Sequence, residues 1–271
     1  MSARQGPDPD IALAAERLAA GDPTRWSAVL AAPLSARPVL IALGALNLEL
    51  ARAPWASSEP MVAEMRLQWW IDALEKAGEL QGRGAPIPHE IGPAVQMALL
   101  AGAPVADLVT AAEARRWDCW SEPFADDAAF DAYIGATSGG MIWATAKALG
   151  ASDHGESPAR DAGYAFGIAN LFLAIPELES RKRYPVTDGR PTALSALADT
   201  ALTRLAASRA AARSCGTADQ KALKIACLQG WQAQGILERA RKSPQLIAQD
   251  ALKPSEFQRR ARLLRAAIFG F

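Results

Sequence analysis

Apolar side chains in this chain return at helical spacing, and Pro and Gly punctuate it at helix-length rather than strand-length intervals. Alternating β-branched runs are nearly absent, while Ala and Leu, which cost least in a helix, abound. The pattern predicts an all-α protein of about a dozen helices. Asp10 is placed to cap a first helix within residues 1–21 that ends at Gly21, and Asp22-Pro23 opens a second in the N-cap then N1 arrangement. A third spans Ser35 to Arg52, with Pro38 in its opening turn. Ser57 or Ser58 caps a fourth, with Pro60 in its first turn. That helix carries Met61, Met65, Trp69 and Ala73 at steps of four, with Val62 and Leu74 beside them, so this stripe is expected to be its buried face. Arg66 and Asp72 lie off the stripe. Gly78 to Pro88 reads as a loop. Further helices are expected over Glu90–Leu100, Val105–Cys119, Asp127–Leu149, Ser157–Leu178, Thr192–Cys215, Ala218–Lys242 and Ser255–Ile268. Connections are short and no fixed-period repeat is visible, which argues for a single domain over residues 1–271 and against a solenoid.

Half of the residues are apolar, enough for a substantial core. Lys plus Arg equals Asp plus Glu at 29 each, so no global field recruits a polyanion, and nucleic acid is not an expected partner. The charge is uneven. From Lys253 to Phe271 five residues are basic and one is acidic, and the arginines alternate with Leu263, Leu264, Ile268 and Phe269. Such a basic amphipathic end either lies on a membrane surface or docks on the bundle with its arginines in water. Cys119, Cys215 and Cys227 are too far apart for a metal site and read as small buried hydrophobes in a reducing compartment. Acidic residues interrupt the N-terminal apolar run, which is unlike a signal peptide, and no uninterrupted apolar stretch approaches the roughly 20 residues that span a bilayer. The expected location is cytoplasmic, with contact to the inner face of the membrane through the tail.

Chemical motifs are sparse. GxSxG, GxGxxG and P-loop patterns are missing, and His89 and His154 fall in expected loops, where a surface role is the ordinary one. Asp127 and Asp131, four apart, share a helix face in the manner of metal ligands, yet they also occupy a first turn, where the macrodipole favours acids. Glu177 and Glu179 precede Arg181, Lys182 and Arg183, as at a solvated helix end. Most of the eight tryptophans sit in expected helices, which core packing and an apolar cavity explain equally well. The run from Tyr133 to Met141 (YIGATSGGM) puts three glycines inside a helix, each costing up to about 1 kcal/mol against alanine. A close helix approach or a ligand against the backbone would offset that cost.

Three segments carry a more specific signal: NLELARAPWASSEPMVAEMRLQWWIDALE, YIGATSGGMIWATAKALG and YAFGIANLFLAIPELESRKRYPV. Together, in order and from about Asp22 onward, they resemble the squalene and phytoene synthase family. In particular they resemble its divergent branch that includes the phytoene synthase-like mitochondrial assembly factor of respiratory complex I. The resemblance implies an isoprenoid-synthase-type helical bundle around a central apolar cavity. It also implies a reaction in which active members join two prenyl diphosphates head to head after magnesium-assisted ionisation, the metals being held by aspartate-rich motifs on facing helices. At the first motif this chain reads Asn47-Leu-Glu-Leu-Ala-Arg52, where Glu49 is the carboxylate. At the second, Ala169 to Glu179 retains Asn170, Glu177 and Glu179, with Pro176 expected to distort or end the helix.

By this resemblance Glu49, Arg66, Trp69, Tyr133, Thr137, Gly140 and Asn170 are expected to line the cavity; because one glutamate on one wall and a displaced pair on the other cannot hold a magnesium cluster, no metal and no cofactor are expected. The leading expectation is a non-catalytic lipid-binding or assembly factor with a prenyl or other lipid ligand and a respiratory-complex or other protein partner. The alternative is an active prenyl-diphosphate transferase of isoprenoid or carotenoid biosynthesis that holds Mg2+ with Glu49, Asp72, Asp127 and Asp131. A scaffold with a filled core is the third.

Overall fold

A computed structural model describes residues 9–80, 83–85 and 87–270, and all regular structure among them is helical. Residues 1–8 of the expected N-terminal segment, Gln81, Gly82 and Pro86 of the expected loop, Phe271, and the side chains of Pro9, Asp10 and Phe269 lie outside the described residues. In chain order the helices are α1 (Pro9–Gly21), α2 (Pro23–Ala31), α3 (Arg37–Arg52), α4 (Pro60–Glu79), α5 (Gly92–Leu100), α6 (Val105–Ala114) and α7 (Asp127–Ile134). They continue with α8 (Met141–Ala148), α9 (Glu156–Ser180), α10 (Pro191–Ser214), α11 (Thr217–Ala226), α12 (Ala233–Lys242), α13 (Gln245–Ala248) and α14 (Glu256–Phe269). Tight single turns, Ala53–Trp55, Arg115–Cys119 and Cys227–Gly230 among them, join several of these.

Local chemistry explains most boundaries. Asp22 caps α2 by accepting from Arg25 N at 2.8 Å, with Pro23 at the first helical position where its missing N–H costs nothing. Helix α4 starts one residue later than its serines suggest: Glu59 is the cap residue, and Ser57 Oγ accepts from the Glu59 N–H. Ser255 and Gln258 form a reciprocal capping box that starts α14.

Three expectations are corrected. Helix α9 runs through Pro176 to Ser180: Phe172 and Ile175 bury its face up to the proline and the last turn closes normally, Arg181 N donating to Glu177 O at 3.2 Å. The expected helix Ala218–Lys242 breaks at Cys227–Gly230, where the Phe166 ring lies on Gly230 so closely that a Cβ there would sit 2.2 Å from it. The third concerns α4. Its buried face is Ala63, Leu67, Trp70, Ile71, Leu74 and Ala77, whereas Met61, Val62, Met65 and Trp69 point to solvent. The helix carries two apolar stripes on opposite sides, and the inward one packs against α6.

Two apolar clusters hold the bundle. The first joins α1 to α6 with the inner face of α8, and the second gathers α7, α8, α9, α10, α11 and α12 around Phe166, Ile168 and Phe172. Helices α7 and α8 form one continuous rod interrupted by a π-helical turn, Gly135–Gly140. This turn packs on α9 at backbone distance: a Cβ on Gly163 would lie 2.7 Å from Gly139 Cα, and Ser138 Oγ donates to Gly163 O at 2.7 Å. Close helix approach thus accounts for the glycines at 139 and 163. The segment Leu34–Trp55 is long and apolar enough by composition to cross a membrane, but 56% of that apolar window is buried in the bundle, as in a core helix. Cys119 and Cys227 are buried and Cys215 half-buried; burial raises the Cys119 thiol to about 11, as for inert core thiols.

Candidate functional site

A cavity of about 280 Å3 opens between α3, the α7–α8 rod and α9, with the N-terminal part of α2 reaching in from one side. Its apolar lining includes Leu43, Trp55, Ile134, Met141, Ile142, Leu171 and Leu178. Its polar lining is as extensive: Arg25, Asn47, Arg115, Asp118, Tyr133, Thr137, Ser138, Thr145, Asn170 and Gln229. From α3 the cavity receives Asn47 and Ala51, and from α9 Asn170 and Ala174, in each case residues four apart and therefore on one helix face. Trp55 is covered from outside by Arg181 and Arg183, whose guanidinium carbons lie 4.8 and 5.2 Å from its ring centre.

Charge in the cavity is organised around two arginines. Arg115 Nη1 donates to Asp118 Oδ2 at 2.9 Å and to Tyr133 Oη at 2.8 Å, and Tyr133 Oη donates to Asp118 Oδ1 at 2.8 Å. Burial opposes the charge on Arg115, but Tyr133 and Asp118 outweigh it and raise its pKa. Burial, reinforced by Asp118, also raises the Tyr133 hydroxyl well above the usual tyrosine value, with Arg115 opposing, so the phenol stays protonated as a donor. Arg25 is mostly buried, and burial lowers its pKa, with Asp22 opposing and Arg115 adding to the effect. With its amide oxygen turned toward the guanidinium, Asn47 accepts from Arg25 Nη1 at 2.5 Å and Nη2 at 3.0 Å. Arg25 Nε lies 3.6 Å from Asp22 Oδ2.

Of the residues expected at the cavity, Tyr133, Thr137 and Asn170 line it. Glu49, Arg66, Trp69 and Gly140 do not. Glu49 lies two residues from Asn47, hence on the opposite side of α3, and pairs with Arg17 at 3.1 Å. Arg66 and Trp69 are on the solvent side of α4. Gly140 is buried toward α6 and α9, its nearest neighbours being Asp107 and Arg160. The alternative set Glu49, Asp72, Asp127 and Asp131 is not assembled either: Glu49 binds Arg17, Asp72 accepts from Gln68, Asp127 from Thr187 and Asp131 from Tyr164. Among the described residues no three acidic, histidine or cysteine side chains are grouped to hold a metal.

Sequence reasoning did not find Arg25, Arg115, Asp118 or Trp55. The signal available was the repeated Asn-x-x-x-Ala spacing at Asn47 and Asn170, which marks the two inward faces; the arginines arrive from other helices and carry no local mark.

The sequence model of squalene/phytoene synthase matches residues 18–186, from the end of α1 through α9, and so includes both cavity-facing asparagines. The chain belongs to the squalene/phytoene synthase family. Its fold is also that of solved family structures. It is similar to the crystal structure of squalene synthase HpnC from Alicyclobacillus acidocaldarius, with a TM-score of 0.69 and 15% identity over 86% of this chain and 93% of that one. It is similar as well to a dehydrosqualene synthase crystallised in complex with ligand, with a TM-score of 0.59 and 14% identity over 95% of each chain. At such identities the likeness concerns the fold. The comparison with curated proteins returns no match. In this squalene/phytoene synthase family member the cavity therefore stands within the family's isoprenoid-synthase-type bundle, walled by the helices that carry the two asparagines.

Proposed function

We propose that this family member binds a prenyl or other lipid ligand in its central cavity without performing metal-assisted coupling, and acts as a lipid-binding or assembly factor with a protein partner. The observation that carries this reading is the donor set of the cavity. In the two stretches where the family's aspartate-rich motifs are expected, the residues facing inward are Asn47 and Ala51 from the first and Asn170, Leu171, Ala174 and Leu178 from the second, none of them a carboxylate. Among the described lining residues Asp118 supplies the carboxylate, and Arg115 and Tyr133 already occupy both of its oxygens. Magnesium needs near-octahedral oxygen ligation and tolerates no crowd of cations. Two amides, one committed carboxylate and the guanidinium groups of Arg25 and Arg115 do not fit it, and no step through a metal is derived.

What the lining offers is binding. Leu43, Met141, Ile142 and Leu171 supply apolar wall, while Arg25, Asn47, Thr137, Ser138 and Asn170 supply polar groups for a headgroup. At about 280 Å3 the cavity stands at the low end of the roughly 300–1,000 Å3 of small-molecule sites, which suits one ligand better than two side by side.

The test has two arms on the same protein. Farnesyl diphosphate added without metal is expected to raise the melting midpoint, since a ligand that binds only the folded state stabilises it. With magnesium, no diphosphate release is expected. Metal-dependent release would refute the non-catalytic part, and an unmoved midpoint with prenyl diphosphates, prenols and phospholipids alike would favour the filled scaffold.

A further inference from the structure

The C-terminal helix α14 docks on the bundle by one face and leaves another without a partner among the described residues. Ala266 is buried and Leu263 packs against the first cluster, Arg259 Nη2 donates to Thr24 Oγ1 at 3.4 Å, and Lys224 Nζ donates to Ile268 O at 2.8 Å. Arg239 ties down the preceding segment through the carbonyls of Ala251, Leu252 and Lys253. The helix is thus fixed, not dangling, and its outward side is fixed with it.

That outward side is amphipathic in a specific way. Phe257, Leu264 and Ile268 are 82, 62 and 55% exposed. At 100° per residue these three fall within roughly 40° of one another, with exposed Arg260 on one flank and exposed Arg265 on the other. Beside the C-terminal end of the stripe lies a groove of about 460 Å3 lined by Leu30, Arg37, Lys221, Lys224, Ile225 and Ala267 among others, with no carboxylate in its lining. Exposed Leu30 and Leu34 extend the apolar area past the end of α2. Glu256 is the one carboxylate on α14, and it lies at the first turn within reach of Arg259 and Arg260.

We propose that this face is a membrane-surface site, seating α14 in the plane of an anionic bilayer with Phe257, Leu264 and Ile268 in the acyl boundary. Charge complementarity identifies the occupant. Arg260 and Arg265 flank an apolar stripe too narrow for a helix-in-bundle interface, and Arg37 at the start of α3 with Lys221 and Lys224 of α11 adds cations in the groove beside its C-terminal end. Long cationic side chains flanking such a stripe lay their stems on it and hold their heads at phosphate level. The inference concerns a surface remote in role from the cavity and stands whether or not the cavity binds lipid.

Flotation with phosphatidylcholine vesicles, with and without phosphatidylglycerol, tests it on the full chain. Retention is expected on the anionic vesicles, falling steeply with salt, and little on the neutral ones. Leu264→Ser, at an exposed position, and the pair Arg260→Gln with Arg265→Gln are each expected to lower partitioning about 10-fold while leaving the melting midpoint in place. The emission of Phe257→Trp minus that of the native chain, which carries eight tryptophans of its own, isolates a local reporter expected to move to the blue on anionic vesicles. No retention on anionic vesicles, equal retention on neutral ones, or retention indifferent to both variants overturns the proposal. So does a reporter shift produced by soluble polyglutamate and not by vesicles, which would mark an acidic protein as the occupant.

Discussion

Helix α4 and the rod formed by α7, the π turn and α8 relate sequence to burial in opposite ways. On α4 the large apolar residues Met61, Met65 and Trp69 recur every fourth position and face solvent, while Trp70, one step further, is 4% exposed and packs inward. On the rod the residues least suited to a helix, Gly139 and Gly140, stand at its most closely packed point, against α6 and α9. Periodicity says which residues share a face and leaves open which of two apolar faces turns inward. A residue that costs helix stability carries a sharper message where a close contact explains it, as at Gly139 against α9, though Gly135 of the same rod has no such neighbour.

The largest effect that would break this contrast is at the Trp69-Trp70 pair. Trp70→Ala is expected to cost about 3–5 kcal/mol by cavity formation, and Trp69→Ala, 37% exposed in the native chain, about 1 kcal/mol or less. Chemical denaturation of the two variants measures both. Equal losses would mean that α4 packs by its Met-Trp stripe after all.

Next in size is the rod. Gly163→Val places a Cβ 2.7 Å from Gly139 Cα, a clash with backbone that no rotamer relieves, and is expected to cost about 3 kcal/mol. Gly135→Ala meets nothing within 4 Å at a right-handed helical backbone and is expected to stabilise by about 0.5 kcal/mol. Opposite signs for these two glycines on neighbouring helices sharpen the comparison; a shared sign would show that helix propensity alone, not contact, governs the glycines.

Asp118→Asn follows, at about 2 kcal/mol, because it leaves the mostly buried Arg115 guanidinium without its counter-charge. Restoration of stability by a second change, Arg115→Met, would separate loss of the pair from loss of the fold, and an unaffected midpoint in the single variant would show the network to be solvated.

These contrasts also mark what could be read in advance. The all-α class, the capped start of α2, the extents of α3, α5 and α10 and the start of α9 follow from periodicity and from Asp, Ser, Pro and Gly placement, which are local signals. The break at Gly230 is not local: it exists because Phe166, on α9, lies over that backbone. The passage of α9 through Pro176 likewise depends on what Phe172 and Ile175 bury. At the cavity, Tyr133, Thr137 and Asn170 share one interior because their helices cross there, whereas Glu49, chosen for its charge, sits on the wrong side of α3 by two residues. Arg25 and Arg115 come from α2 and from a single turn after α6, so their convergence is a property of tertiary packing that no spacing records.

The smallest effect expected is a pH dependence beside α4. His89 leans on the inward Trp70 at 4.8 Å and on Trp69 at 5.8 Å between ring centres. Burial lowers its pKa below the ordinary 6.5, Glu49 and Glu90 opposing and Arg17 adding to the shift. A folded chain that holds this proton less tightly than the unfolded one loses stability as pH falls: the unfolded state is protonated first, near 6.5, and draws the equilibrium until the folded-state pKa is passed. Above that window the histidine is neutral in both states and contributes nothing. His89→Gln is therefore expected to flatten part of the decline in melting midpoint between neutral and mildly acid pH, while carboxylates elsewhere titrate equally in both proteins. Parallel midpoint curves for the two proteins would place His89 in water, and with it the face of α4 against which it rests.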